Sequence, residues 1–136
     1  MKEDTRMTLE EIRSVFANDR YATECAGAVI DEAVPGHVRV HCDLAPRHKN
    51  AAGGIMGGVF CTLADFAFAI ATNMDGMGTV SVNLNCSFIG SARGTQLIAD
   101  AECVKNGRSV VFYTVNVHDE QDHPVAKVEI TGFRKA

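Results

Sequence analysis

The stretch Asn50–Met74, NAAGGIMGGVFCTLADFAFAIATNM, decides the fold of this chain. Its first third holds Gly53, Gly54, Gly57 and Gly58, and from Gly57 to Asn73 the only charged residue is Asp65. A run of that length predicts a helix of four to five turns. Because it is apolar on nearly every side, that helix must be surrounded by protein. A bilayer span is the competing explanation, since about 20 apolar residues cross a membrane. An acid at mid-span would cost roughly 2.5–3.5 kcal/mol, and the glycines weaken the run further. The pattern therefore reads as a buried helix in a water-soluble domain.

Downstream, TVSVNLNCSF (79–88) alternates apolar and polar residues, placing Val80, Val82, Leu84, Cys86 and Phe88 on one expected face and Ser81, Asn83, Asn85 and Ser87 on the other. TQLIADAECV, SVVFYTVNVHD and PVAKVEITGFR follow as strands, separated by NGR and DEQDH, which have hairpin-turn composition. Upstream, AGAVIDEAV and HVRVHCDL flank the turn pair Pro35-Gly36 and predict a hairpin with Arg39, His41 and Asp43 on a wet face. Thr8 and Glu11 form a capping box ahead of Leu9, Ile12, Val15 and Phe16, which predicts a short amphipathic helix over Leu9–Asn18. The order is a short helix, two strands, one buried helix, then four strands. An antiparallel sheet wrapped around the single long helix satisfies it, in the α+β class.

The chain has 136 residues, 46% hydrophobic and 22% charged, with a net charge of -4. This suits one globular domain and opposes disorder. The 13 Lys and Arg residues are scattered, so nucleic acid is not an expected partner. Cys25, Cys42, Cys61, Cys86 and Cys103 are odd in number and lack C-x-x-C spacing, which predicts neither a disulfide framework nor a metal site. The charged amino terminus, MKEDTRMTLEEIRSVF, points to a cytoplasmic protein with no membrane partner.

The element order and the segment RHKNAAGGIMGGVFCTLADFAFAIATN resemble the hotdog fold, and within it the PaaI-type acyl-CoA thioesterase family. The likeness extends from residue 25 to residue 134, through the G-R-S and V-A positions of NGRSVVFYTVNVHDEQDHPVAKVEITGFR. Residues 25–136 are then the hotdog core and residues 1–24 an amino-terminal helical extension of the same domain. The resemblance implies hydrolysis of an aryl or medium- to long-chain acyl-CoA to free acid and coenzyme A. It implies no metal and no cofactor beyond the substrate's coenzyme A, and a homodimer or dimer of dimers with active sites at subunit interfaces.

It also assigns roles. Asp65 holds the position of the acid that activates a water or attacks the carbonyl carbon. Its apolar neighbours Leu63, Ala64, Phe66 and Ala67 are expected to desolvate it and strengthen it as a base. The amide at Gly57 matches the relatives' oxyanion donor. Gly57 and Gly58 lack Cβ atoms and start a helix whose first N–H groups have no intrahelical acceptor, although glycines there would equally permit tight packing on a strand. Asn50, with His48 in an H-x-N element, orients the water or acyl group in relatives, from the subunit opposite the acid. Ser81 matches a water-holding serine. Met56 stands where many relatives carry a histidine, so no proton donation is expected there, and its thioether is a candidate lining of the acyl pocket. Arg108, with Ser109 in the NGRS turn, is the expected partner of coenzyme A phosphates, with Lys105 and Arg134 as further cations. Phe60, Phe66 and Phe68 fit either pocket or core.

Two rivals come from other classes. Asp43 and His48, five apart, superficially match the dyad of hotdog enoyl-CoA hydratases, but Asp43 falls on the wet face of its strand. A non-catalytic acyl-CoA binder would have no use for a lone carboxylate beside helix-terminal donors.

Overall fold

The computed structural model describes residues 6–135. Helix α1 (Leu9–Phe16) leads through a π-helical turn (Tyr21–Cys25) into β1 (Val29–Val34) and β2 (His37–Asp43). A loop with one 3-10 turn at Pro46–His48 reaches α2 (Gly57–Asn73), followed by β3 (Thr79–Phe88), β4 (Gln96–Asn106), β5 (Val110–Asp119) and β6 (Pro124–Arg134). All strand pairs are antiparallel, in the order β1-β2-β4-β5-β6-β3, so β1 and β3 are the edges. This is the α+β hotdog arrangement, with one sheet wrapped around one central helix.

Helix α2 spans the residues expected from its apolar run, with no side-chain cap at its start. Leu63, Ala64, Ala67, Phe68 and Ile70 are buried against inward residues of the sheet such as Val40, Leu97, Val115 and Val128. At the far end Asn73 takes over where the helix bonds run out. Its side-chain oxygen accepts from the amides of Gly78 and Thr79, each at 3.0 Å, and its NH2 donates to Ala69 O and Thr79 O, tying the helix end to the start of β3.

Helix α1 ends at Phe16, two residues before the expected limit, because the chain turns through Ala17 and the Asn18 side chain bonds Val15 O at 3.1 Å. The Thr8–Glu11 capping box is present in both directions. Ile12 and Phe16 are buried, and the Phe16 ring meets Phe66 edge-on at 6.5 Å, so this helix closes one flank of α2. On the outer sheet face Arg39 grips Asp100 through two bonds of 2.7 and 3.2 Å, which accounts for the wet face of β2.

Strand β3 departs from the strict alternation read in its sequence. Ser81 pairs with Gly132 but Asn83 pairs with Thr131, so Val82 is an extra, bulged residue. The bulge exchanges the two faces. Leu84 and Cys86 lie opposite buried Ile130 and Val128, while Val80 lies opposite the exposed Phe133. A Cβ at Gly132 would meet Phe68 Cζ at 2.5 Å, so that position faces the helix. Ser81, directly opposite it, is therefore on the helix-bearing side and not with the outward Asn83 and Asn85.

Candidate active site

A cleft of about 800 Å³ opens at the start of α2, between the loop through Asn50 and Gly54, the first helical turn, and the segment from Phe88 to Thr95. The amides of Gly57 and Gly58 make no hydrogen bond within the described residues, as expected where a helix begins without a cap. Gly57 lines the cleft, so its N–H lies where the positive end of the helix dipole meets a ligand. Its missing side chain matters twice. A Cβ there would lie 2.9 Å from Phe88 Cε1, and the Phe88 ring in turn sits 6.0 Å from Phe60. The close-packing explanation of the glycine therefore holds, and it is compatible with an open amide, since the ring that needs the space is also a wall of the cleft.

Asn50 shapes the opposite wall. Its side-chain oxygen accepts from the amides of Ala52 and Gly54 at 3.0 Å each, and its own amide donates to Gly54 O at 2.7 Å. The oxygen is thus spent on the loop. The side-chain NH2 has no partner among the described residues and is the end available to a ligand.

Asp65 is elsewhere. Eight residues along α2 from Gly57, it is displaced by about 12 Å of helix rise. It lines a second cavity of about 360 Å³ with Thr62, Phe66 and Ala69 of the helix and the segment Asp19–Ala22. In the single chain Asp65 is exposed, without an ion-pair partner among the described residues, so the desolvation expected of its apolar neighbours is not supplied within one chain: Leu63, Ala64, Phe66 and Ala67 turn inward while Asp65 faces out. Ser81 lies on this helix-bearing side of the sheet, opposite the Gly132 that touches Phe68, one turn from Asp65. One protomer brings Asn50 and Gly57 together and leaves Asp65 and Ser81 apart from them.

Other expected residues fall differently. His48 is 2% exposed and both ring nitrogens are used: Nδ1 accepts from Ala45 N at 3.0 Å and Nε2–H donates to Ala26 O at 2.7 Å. It staples the loop and is not presented to coenzyme A. The same bonds remove it from any dyad with Asp43, whose carboxylate accepts from Gln96 Nε2 at 2.8 Å. Met56 is 51% exposed and folds over Gly58 rather than lining the cleft. Arg108 and Ser109 sit in the β4–β5 turn, beside the Thr79 end of β3, whereas the cleft is at the Phe88 end, about 30 Å away along a ten-residue strand. Within one chain they do not border it. Lys105 is exposed near the same turn, and Arg134 is occupied by Gly107 O, Thr79 Oγ1 and Asn106 Oδ1. Of the aromatic trio, Phe60 lines the cleft, Phe66 the Asp65 cavity, and Phe68 the core.

Two residues were missed. Lys49, in the RHKN that precedes the glycines, lines the cleft and is its cation. Asp119 is fully buried and bolts the far wall: its carboxylate accepts from the amides of Arg93, Gly94, Gln121 and His123 and meets the His123 ring at 3.0 Å. Burial pushes its acidity down, but those donors outweigh it, with Arg93 and His123 foremost, and the carboxyl titrates well below its ordinary 3.8. Glu120 beside it accepts from Thr95 and Gln96, continuing the clasp. An Asp opening the DEQDH turn was a visible turn signal, while its grip on residues 93 and 94 was not. Among the described residues no cluster of three or more His, Cys, Asp or Glu is arranged to hold a metal ion, and no helix is long and apolar enough to cross a membrane.

Comparison with known proteins agrees with this architecture. Human acyl-coenzyme A thioesterase 13 is 28% identical over 119 residues, which cover 83% of this chain and 85% of that protein. A variant structure of the phenylacetic acid degradation protein PaaI from Thermus thermophilus is 28% identical, covering 82% of this chain and 96% of that one, at a TM-score of 0.76. The PaaI protein of E. coli superposes over 95% of this chain and 97% of its own at a TM-score of 0.81 and 22% identity. The family model described as "Thioesterase superfamily" matches residues 52–126, from the glycine-rich approach through α2 into β6. With more than half its length inside that model, the chain belongs to the thioesterase superfamily and is a PaaI-like hotdog thioesterase.

Proposed function

We propose that the protein hydrolyses an acyl-CoA thioester to the free acid and coenzyme A at a site shared between two copies of the chain. The observation that carries this reading is the division of parts along α2: unpaired amides and Asn50 in one cleft, the exposed acid Asp65 about 12 Å further on. Edge strand β3 supplies the means of joining them. It leaves one side of its main chain unpaired and exposes Val82 at 61% and Phe88 at 59%, so a second β3 can extend the sheet and set each Asp65 against its partner's cleft. The coenzyme A assignment is supported by the human relative's name and by Lys49 in the cleft. In the assembled site, Arg108 of the second chain is the further cation for the phosphates.

In this mechanism the thioester oxygen lies against the Gly57 amide, which gains strength as negative charge develops on it. Asp65 carries the attack, either by taking a proton from a water that Ser81 helps hold or by bonding to the carbonyl carbon itself. Asn50 NH2 orients the reacting group. In the first case collapse breaks the carbon–sulfur bond and the departing sulfur receives the proton that Asp65 took from water. In the second the sulfur leaves as a thiolate, and water then hydrolyses the acyl–Asp65 anhydride, freeing the acid and the carboxylate and giving its proton to the thiolate. No metal or organic cofactor is called for. Thiol release across aryl and aliphatic CoA esters tests the proposal: the wild type turns over at least one series and Asp65→Asn does not, while full turnover in that variant refutes the mechanism.

A further inference from the structure

The two cavities beside α2 differ in charge. The larger is lined by Lys49 and by no carboxylate, whereas the smaller is lined by both Asp65 and Asp19, and its cation, Arg20, is paired with Glu24 at 3.0 Å. Asp19 comes from the amino-terminal extension, outside the residues that the family model matches. It reaches the cavity because the chain reverses after α1, with Asp19 N bonded to Phe16 O and Thr23 N to Asp19 O, each at 3.0 Å. Partial desolvation, and then the charge of Asp65, pushes the Asp19 carboxyl above its ordinary value, consistent with two acids facing one space. The rest of the wall is largely apolar: Tyr21, Ala22, Phe66 and Ala69.

Coenzyme A phosphates suit the cleft with the lysine and not a space bounded by two carboxylates, so the acyl group is left for the smaller cavity. We propose that Asp19 is a specificity-determining residue that makes this cavity accept neutral, apolar acyl groups and reject those whose far end carries a carboxylate. The inference rests on Asp65 being the reacting acid. Its physical basis is like-charge repulsion, moderated by solvent because Asp19 is exposed in the single chain.

The test compares kcat/KM for hexanoyl-CoA and adipoyl-CoA, which share coenzyme A and chain length and differ in the terminal carboxylate. The ratio between them therefore cancels everything owed to coenzyme A. In the wild type hexanoyl-CoA is preferred; Asp19→Asn narrows the preference about fivefold, and Asp19→Glu, which keeps the charge, does not. Added salt narrows the wild-type ratio and has less effect in Asp19→Asn. An unchanged ratio in Asp19→Asn, with Asp65→Asn still inactive, overturns this inference alone. Full turnover by Asp65→Asn overturns the proposed mechanism and this inference with it.

Discussion

The cleft at the start of α2 and the cavity around Asp65 are built on one helix by opposite means. The cleft is made mostly of main chain: helix-terminal amides, a loop bonded to itself through Asn50, and a far wall held by the buried Asp119. The Asp65 cavity is made of side chains, and in a single chain its acid stays exposed. One chain alone thus keeps its rigid donors and its exposed acid about 12 Å apart along α2, which is why the site proposed above draws on two copies.

The hardest blow to that comparison falls on the acid. Asp65→Asn should lower kcat for thiol release about 10³-fold, with an unaltered melting transition because the side chain packs against nothing that holds the fold. Asn50→Ala should cost about 10²-fold, through the lost NH2 donor together with the loosening of the loop that its side-chain oxygen holds. Mixing these two impaired variants then decides whether the halves come from different chains. Random reassortment of dimers regenerates intact sites to about a quarter of wild-type activity if they do, and gives no rise above the variants' own residual activity if each chain works alone.

Asp119→Asn probes the bolted wall. Its expected effect is a several-fold rise in KM with a smaller change in kcat, since the wall at 93–94 loosens while Asp65 and Gly57 stay in place. Its acid dependence has a defined sign. The folded carboxyl lies below its ordinary 3.8, so its contribution to stability is complete above that pH and declines as the pH falls toward the folded value. Acid melts below pH 4 should therefore separate wild type and variant less than melts near neutrality. The mildest change is Ser81→Ala, expected to reduce kcat only a few-fold, about what one hydrogen bond to a water contributes.

Much of the fold was legible because its signals are local. The bounds of α2 follow from an apolar run closed by glycines, the β1–β2 hairpin from Pro35-Gly36, and the β3 limits from its alternation. The Val82 bulge was not legible, because a bulge inserts a residue without leaving the β pattern, and only the partner strand shows that the register has slipped. His48 was a candidate ligand residue through the H-x-N element of the resemblance; its bonds are to main chain at Ala45 and Ala26, the latter 22 positions away.

By itself the sequence determined the class of fold, the helix that carries Asp65 and the amides of Gly57 and Gly58, since apolar periodicity and helix ends are properties of short segments. Tertiary structure alone decided the separation of acid from cleft, the face on which Ser81 stands, the burial of His48 and Asp119, and the approach of Asp19 to Asp65. Those depend on which distant segments meet, and a strand register or a reversal after a helix is fixed only when the whole core packs.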